Sequence, residues 1–256
     1  MSLYRGMDRA ALDAAYNNGA AVKKSAQIVA DWQARSEAIR SRAREVRYGP
    51  AERNRIDLFD AGPGAPWLVF IHGGYWQMRA KEMFAFLAAG PLAHGISVAL
   101  VGYTLAPEKT LDGIVAEIRA ALSYLDRDCV LSGWSAGGHL TAMSMDHSRV
   151  QGGLAISGIY DLEPIRLCYL NEKLGLDADA ARRLSPVHRS TSGKPLVIAY
   201  GTNELPELQR QSQLYASALK GARLEPFAGH DHFTILEELA APNGRLTAFV
   251  RTLVGA

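Results

Sequence analysis

Gly133-Trp134-Ser135-Ala136-Gly137 centres a serine in a G-x-S-x-G pentapeptide. An apolar run, Cys129 to Leu131, precedes it and a helix-forming stretch, Ser135 to Met145, follows, so the serine falls on a strand-to-helix turn. Small residues two before and two after it let that turn close tightly and lift the hydroxyl into a cleft. The helix N-terminus behind it favours developing negative charge. The chemistry this suggests is nucleophilic acyl transfer, against the plainer reading of a turn or N-cap serine. Acyl transfer needs three more parts: donors for an oxyanion, a base, and an acid to orient the base.

Each part has candidates. His72-Gly73-Gly74-Tyr75-Trp76 follows the apolar run Trp67 to Ile71, and its glycines let backbone N–H groups turn toward a cleft. The expected donors are the N–H groups of Gly74 and Tyr75, with Ala136 as the third. His72 itself reads as a residue that staples the loop rather than as a base. Near the end of the sequence, Gly229-His230-Asp231-His232-Phe233 offers His232 as the base, with His230 as competitor. The pair could also be read as metal ligands, but a His-x-His without further clustered ligands argues weakly for zinc, and no metal is expected. The acid should follow the strand Leu196 to Tyr200. Glu204 lies nearest the strand end, Glu207 falls inside the next helix, and Asp161 is an outsider.

These residues need elements to hold them. After Pro50 the chain alternates between strand and helix patterns. Strands are expected at Arg55 to Phe59, Trp67 to Ile71, Ile96 to Val101, Cys129 to Leu131, Val150 to Ile156, Leu196 to Tyr200 and Arg223 to Phe227. Helices are expected at Lys81 to Ala93, Pro107 to about Asp126, Ser135 to Met145, Glu207 to Lys220 and Arg245 to Leu253. Continuous apolar strands between helices argue for a doubly wound, mostly parallel α/β sheet, with its site beyond the carboxyl ends of the strands. The first 47 residues read as a helical arm rich in Ala, Arg, Lys and Glu, broken at Asn17-Asn18-Gly19. Residues 162 to 187 read as a small cap of short helices over the site. One domain spanning 1–256 is the expectation.

Composition excludes some classes of function. With 28 basic and 26 acidic residues the net charge is +2, which gives no case for nucleic-acid binding. No apolar h-region follows the first residues and no stretch approaches a membrane span, so a cytoplasmic protein without a membrane partner is expected. The two cysteines do not form a disulfide framework. There is no P-loop and no G-x-G-x-x-G after a strand, so no cofactor is expected.

Taken together, the motifs carry a resemblance. His72-Gly-Gly-Tyr-Trp-Gln77, Tyr103-Thr-Leu-Ala-Pro107 through Thr110-Leu-Asp112, and Gly133-Trp-Ser-Ala-Gly-Gly-His-Leu140 are similar to segments of the kynurenine formamidases (arylformamidases) and their bacterial esterase-like relatives within the α/β-hydrolases. So are Ser157-Gly-Ile-Tyr-Asp-Leu-Glu-Pro-Ile165, Glu204-Leu-Pro-Glu-Leu-Gln-Arg-Gln-Ser212 and Asp231-His-Phe233. Glu204 stands where the family usually has Asp, and Trp134 where it commonly has His. The resemblance implies an α/β-hydrolase fold with Ser135, Glu204 and His232 as its triad. It also implies a small amide or ester substrate, N-formylkynurenine first, and by analogy a homodimer. Another small acyl ester or amide is the alternative substrate, and an inactive hydrolase fold that binds a ligand is the remote one. Around the triad, Tyr75 and Trp76 are placed to stack an aromatic leaving group, Trp134 to shape the pocket floor, and Tyr160 and Asn171 to contribute from the cap.

Overall fold

The structure is a computed structural model that describes residues 2–125, 127–189 and 192–255. The arm opens with α1 (Arg9–Ala15), whose first turn is capped by the Asp8 carboxylate accepting from Ala11 N (2.9 Å). Then come α2 (Asn18–Ala21) and the longer α3 (Ser25–Arg40). The arm does not stay helical to residue 47: Arg44–Arg47 is a strand, β1, paired antiparallel with β2 (Arg55–Phe59). Cross-strand pairing overrides the helix preference of its arginines and glutamate. Its exposed charges also guard a sheet edge.

Six further strands complete the sheet: β3 (Trp67–Ile71), β4 (Ser97–Val101), β5 (Cys129–Trp134), β6 (Val150–Ile156), β7 (Leu196–Gly201) and β8 (Arg223–Phe227). The eight lie in the order β1-β2-β4-β3-β5-β6-β7-β8, parallel from β4 to β8. This is the doubly wound architecture expected. Every residue of β3 is buried, because both faces are covered. Trp67, Val69 and Ile71 join one core layer, and Leu68 and Phe70 the other. Pro226 is tolerated in β8 because β8 is an edge strand.

Helices cover both faces. Lys81–Ala88, expected as part of an α-helix, is a 3₁₀ helix, followed by the short α4 (Ala89–Leu92). Its Phe86 amide donates to the Ser36 hydroxyl (3.1 Å) of α3 instead of continuing an α-helical ladder. Next, α5 (Leu111–Leu125) starts later than Pro107, and Asp126 lies outside the described residues. The chain before it is held extended: Ala106 N donates to Trp76 O (2.8 Å), and Thr104 donates from both its amide and its hydroxyl to Glu117. After β5 comes α6 (Ala136–Ser144). After β6 comes a run of short helices, α7 (Glu163–Leu167), α8 (Asn171–Leu174) and α9 (Ala178–Arg183), then a 3₁₀ turn at Pro186–His188. This run is tied to the arm by Tyr169 N donating to Asp13 (2.8 Å), and to the loop after β3 by Gln77 donating to Leu170 O (2.7 Å). Finally α10 (Pro206–Ala218), α11 (Glu237–Ala240) and α12 (Arg245–Val254) close the layers. Among the described residues no helix is long and apolar enough to cross a membrane.

Candidate active site

Ser135 sits between β5 and α6 with φ 58° and ψ −118°, a backbone shape that costs energy in any residue with a Cβ. The surroundings enforce it. Ser135 N donates to Ile156 O of β6 (2.8 Å), and α6 passes so close to β3 that a Cβ on Gly137 would collide with the Ile71 carbonyl. Gly137 is therefore required two residues after the serine.

The imidazole of His232 comes from the turn after β8. Its Nε2 lies 3.1 Å from Ser135 Oγ and its Nδ1 2.9 Å from Glu204 Oε2. A carboxylate only accepts, so Nδ1 carries the proton and Nε2 is left to accept from the serine hydroxyl. Asp231 shapes the turn by accepting from the amides of Phe233 and Thr234, each at 2.9 Å. Glu204 is buried just past β7 and its second oxygen is also held. Gly201 N and the Ser157 hydroxyl both donate to Oε1 at 2.6 Å. Sequence reasoning did not single out Ser157. Its readable signal was a serine after an apolar strand and before a glycine, and it is buried at φ 50°.

The competing candidates point elsewhere. Glu207 pairs with Arg210 (2.8 Å) and accepts from Tyr16 (3.2 Å). Asp161 accepts from Tyr4 (2.9 Å). His230 contacts Thr234 O (3.1 Å) and Glu238 (3.3 Å). His72 donates from Nδ1 to its neighbour's carbonyl, Gly73 O (2.7 Å), and stacks on Tyr103, with ring centroids 4.3 Å apart. Burial pushes its pKa down to about 3, as fits a neutral staple.

The loop after β3 lies against the nucleophile, since a Cβ on Gly73 would meet Trp134 and Ser135. Gly74, Tyr75 and Trp76 all adopt positive φ, at 114°, 51° and 60°. Gly74 O accepts from the amides of Gln77 (2.9 Å) and Met78 (3.0 Å), which folds the loop so tightly that only glycine fits at 74. Among the described residues the N–H groups of Gly74, Tyr75 and Ala136 have no acceptor. Three free donors beside Ser135 can receive an oxyanion.

The expected pocket side chains are placed differently. The Tyr75 hydroxyl is buried between Tyr16 O, to which it donates, and the Asn18 amide, from which it accepts (2.8 Å). Trp76 is fully buried, edge-on to His139 at 5.0 Å. Trp134 donates from its indole to His232 O (2.7 Å), its ring 4.9 Å from the imidazole, so it braces the histidine turn. The Tyr160 ring stacks on Tyr215 (4.3 Å), beside a surface cleft of about 330 Å³ that Ser135 does not line. Asn171 bonds Leu176 through both ends of its amide (2.7 and 3.0 Å), which locks α8 to its own turn. Trp134 thus braces the site through its side chain, while the side chains of Tyr75, Trp76 and Asn171 hold the segments they belong to, because each is already partnered or shut in the core.

A family profile described as the alpha/beta hydrolase family matches residues 68–227. The kynurenine formamidase of Danio rerio is 32% identical over 86% of this chain and 85% of its own length. That of Salmo salar is 32% identical over 91% and 89%. Among solved structures, a proposed thioesterase from Silicibacter sp. TM1040 superposes with a TM-score of 0.88 at 33% identity, covering 96% of this chain and 99% of its own. An esterase from Pyrobaculum calidifontis superposes with a TM-score of 0.71 at 18% identity, over 90% and 93% of the two chains, a likeness of fold.

Proposed function

The chain belongs to the alpha/beta hydrolase family, and from that premise we propose that it is an arylformamidase that cleaves N-formylkynurenine through an acyl-enzyme on Ser135. His232 Nε2 takes the hydroxyl proton as Ser135 Oγ bonds the formyl carbon. The carbonyl electrons move onto oxygen, which rests on the N–H groups of Gly74, Tyr75 and Ala136. As the carbonyl re-forms, the C–N bond breaks and the arylamine leaves with the proton from His232. Water then attacks the formyl-serine, His232 again moving the proton, and formate is released. Glu204 holds the imidazole in the needed tautomer and balances its transient charge.

The observation that carries this reading is the continuous relay from Ser135 through His232 to Glu204 beside three N–H groups that have no acceptor among the described residues. The choice of a formamide is supported by the kynurenine formamidases matched over most of their length. A second reading, cleavage of a small ester or thioester, is favoured by the likeness to the Silicibacter protein. We place the enzyme in the cytoplasm, where its buried free thiols, Cys129 and Cys168, fit a reducing compartment. The expected homodimer is checked by light scattering.

The deciding experiment is hydrolysis of N-formylkynurenine beside short p-nitrophenyl esters, with Ser135→Ala as control. Formamide turnover with kcat/KM above about 10⁴ M⁻¹s⁻¹, lost in the variant, supports the reading. Ester turnover alone would reject the formamide and leave the ester reading.

A further inference from the structure

Arg79 follows the loop that carries the free N–H groups, and its backbone is fixed twice over. It adopts φ 73°, and its carbonyl accepts from the Arg53 guanidinium. Its own guanidinium stands 5.5 Å from the Trp134 ring and 5.8 Å from the Phe233 ring. Trp134 immediately precedes Ser135, and Phe233 immediately follows His232. The cation therefore flanks the nucleophile and base, one aromatic ring away from the imidazole.

Several buried or half-buried cations among the described residues are answered by carboxylates. Lys81 has Asp57, Glu45 and Glu82; Arg210 has Glu207; and half-buried Arg35 has Glu237 and Asp31. Among the described residues the Arg79 guanidinium has neither a carboxylate nor a hydrogen-bond acceptor. It is half-buried, and that burial lowers its pKa. Stacking on two rings offsets only part of the cost of withdrawing a cation from water. Such a group is destabilising in the empty enzyme and becomes favourable when an anion enters.

We infer that Arg79 is a specificity-determining residue that receives a carboxylate carried by the substrate beside its scissile acyl group. A guanidinium presents a planar fork of donors that matches a carboxylate edge to edge. A singly charged carboxylate matches this one guanidinium better than a dianionic phosphate, since neighbouring Arg53 is turned to the backbone, with its Nε and one Nη donating to the carbonyls of Tyr103 and Arg79. The inference rests on Ser135 being the nucleophile, and it narrows the substrate class to acyl compounds with an anionic arm.

The test compares pairs of substrates that differ only in the carboxylate: N-formylkynurenine with its methyl ester, and 4-acetoxybenzoate with phenyl acetate. For each pair the ratio of kcat/KM, acid over neutral, is measured in the wild type, Arg79→Met and Arg79→Lys. The wild type should prefer the acid. Arg79→Met should lower the ratio by about 10–100-fold, the usual worth of a charged hydrogen bond, and Arg79→Lys should keep part of it. The aryl ester pair separates the two readings. If formamides are not cleaved but the ester ratio collapses in Arg79→Met, the formamidase reading fails and the carboxylate site stands. A wild type that does not prefer the acid, or a ratio unmoved by Arg79→Met, overturns the assignment.

Discussion

A single oxygen of Glu204 accepts two hydrogen bonds while the other faces His232. With Oε1 fixed by Gly201 N and Ser157, the carboxylate cannot rotate, so Oε2 keeps one direction. Removing the Ser157 hydroxyl leaves the Gly201 bond in place. Ser157→Ala should lower kcat by about tenfold with little change in KM, because a charge-assisted bond is worth roughly 1.5–3 kcal/mol. Glu204→Gln should cost far more, about 10³–10⁴ in kcat, since an amide can offer N–H to Nδ1 and favour the wrong tautomer. Steady-state kinetics on any turned-over substrate checks both, and equal losses would contradict the ranking. The geometry also suits a glutamate at this position. The longer side chain reaches His232 while looping back to the amide of Gly201, three residues before it.

At the scale of elements, α3 does more than cover the sheet. Trp32 is fully buried and touches Phe84, Phe86, Trp134 and Phe233, so the arm lies directly behind the nucleophile and the base. Trp32→Ala should destabilise by about 3–5 kcal/mol, read from urea unfolding, and should lower activity by loosening Trp134. The central strands were legible in the sequence because burial on both faces leaves an unbroken apolar run, as in β3 and β7. The stretch β1 was not, since an exposed strand of Arg, Glu, Val and Arg carries no such pattern and exists only through its partner β2. Ser135, His232 and Glu204 could be picked out because each lies next to a strand end within a short, chemically constrained segment. Ser157 on Glu204, Tyr16 and Asn18 on Tyr75, and Trp134 on His232 could not. Each contact joins segments far apart in the chain, and nothing local records the partner.

For the whole molecule, buried histidines set a limit on the acid side. Burial holds His72 at about 3 and His139 at about 4. In the unfolded chain both take up protons near pH 6.5. Their folded pKa values are depressed, so below that pH the unfolded state binds protons that the native state refuses. The native state is then favoured in full only above about pH 6.5, and stability falls as the pH drops toward 4. Each histidine should cost about 2 kcal/mol between pH 7 and pH 5 by this linkage. The urea midpoint should move down accordingly, and His139→Gln, which keeps a donor for Leu184 O, should remove about half of the shift. A midpoint independent of pH over that interval would refute the account.

The indole of Trp134 is both a brace and a neighbour of the imidazole, 4.9 Å from it and bonded to the same residue's carbonyl. Indole emission depends on the groups packed against the ring. The site therefore contains its own optical indicator: tryptophan emission should change when an acyl group on Ser135 or a bound ligand shifts the imidazole or its turn. Trp134→Phe should abolish that part of the signal while Trp32, Trp67 and Trp76 continue to emit. Occupancy of the site can thus be followed in unlabelled protein.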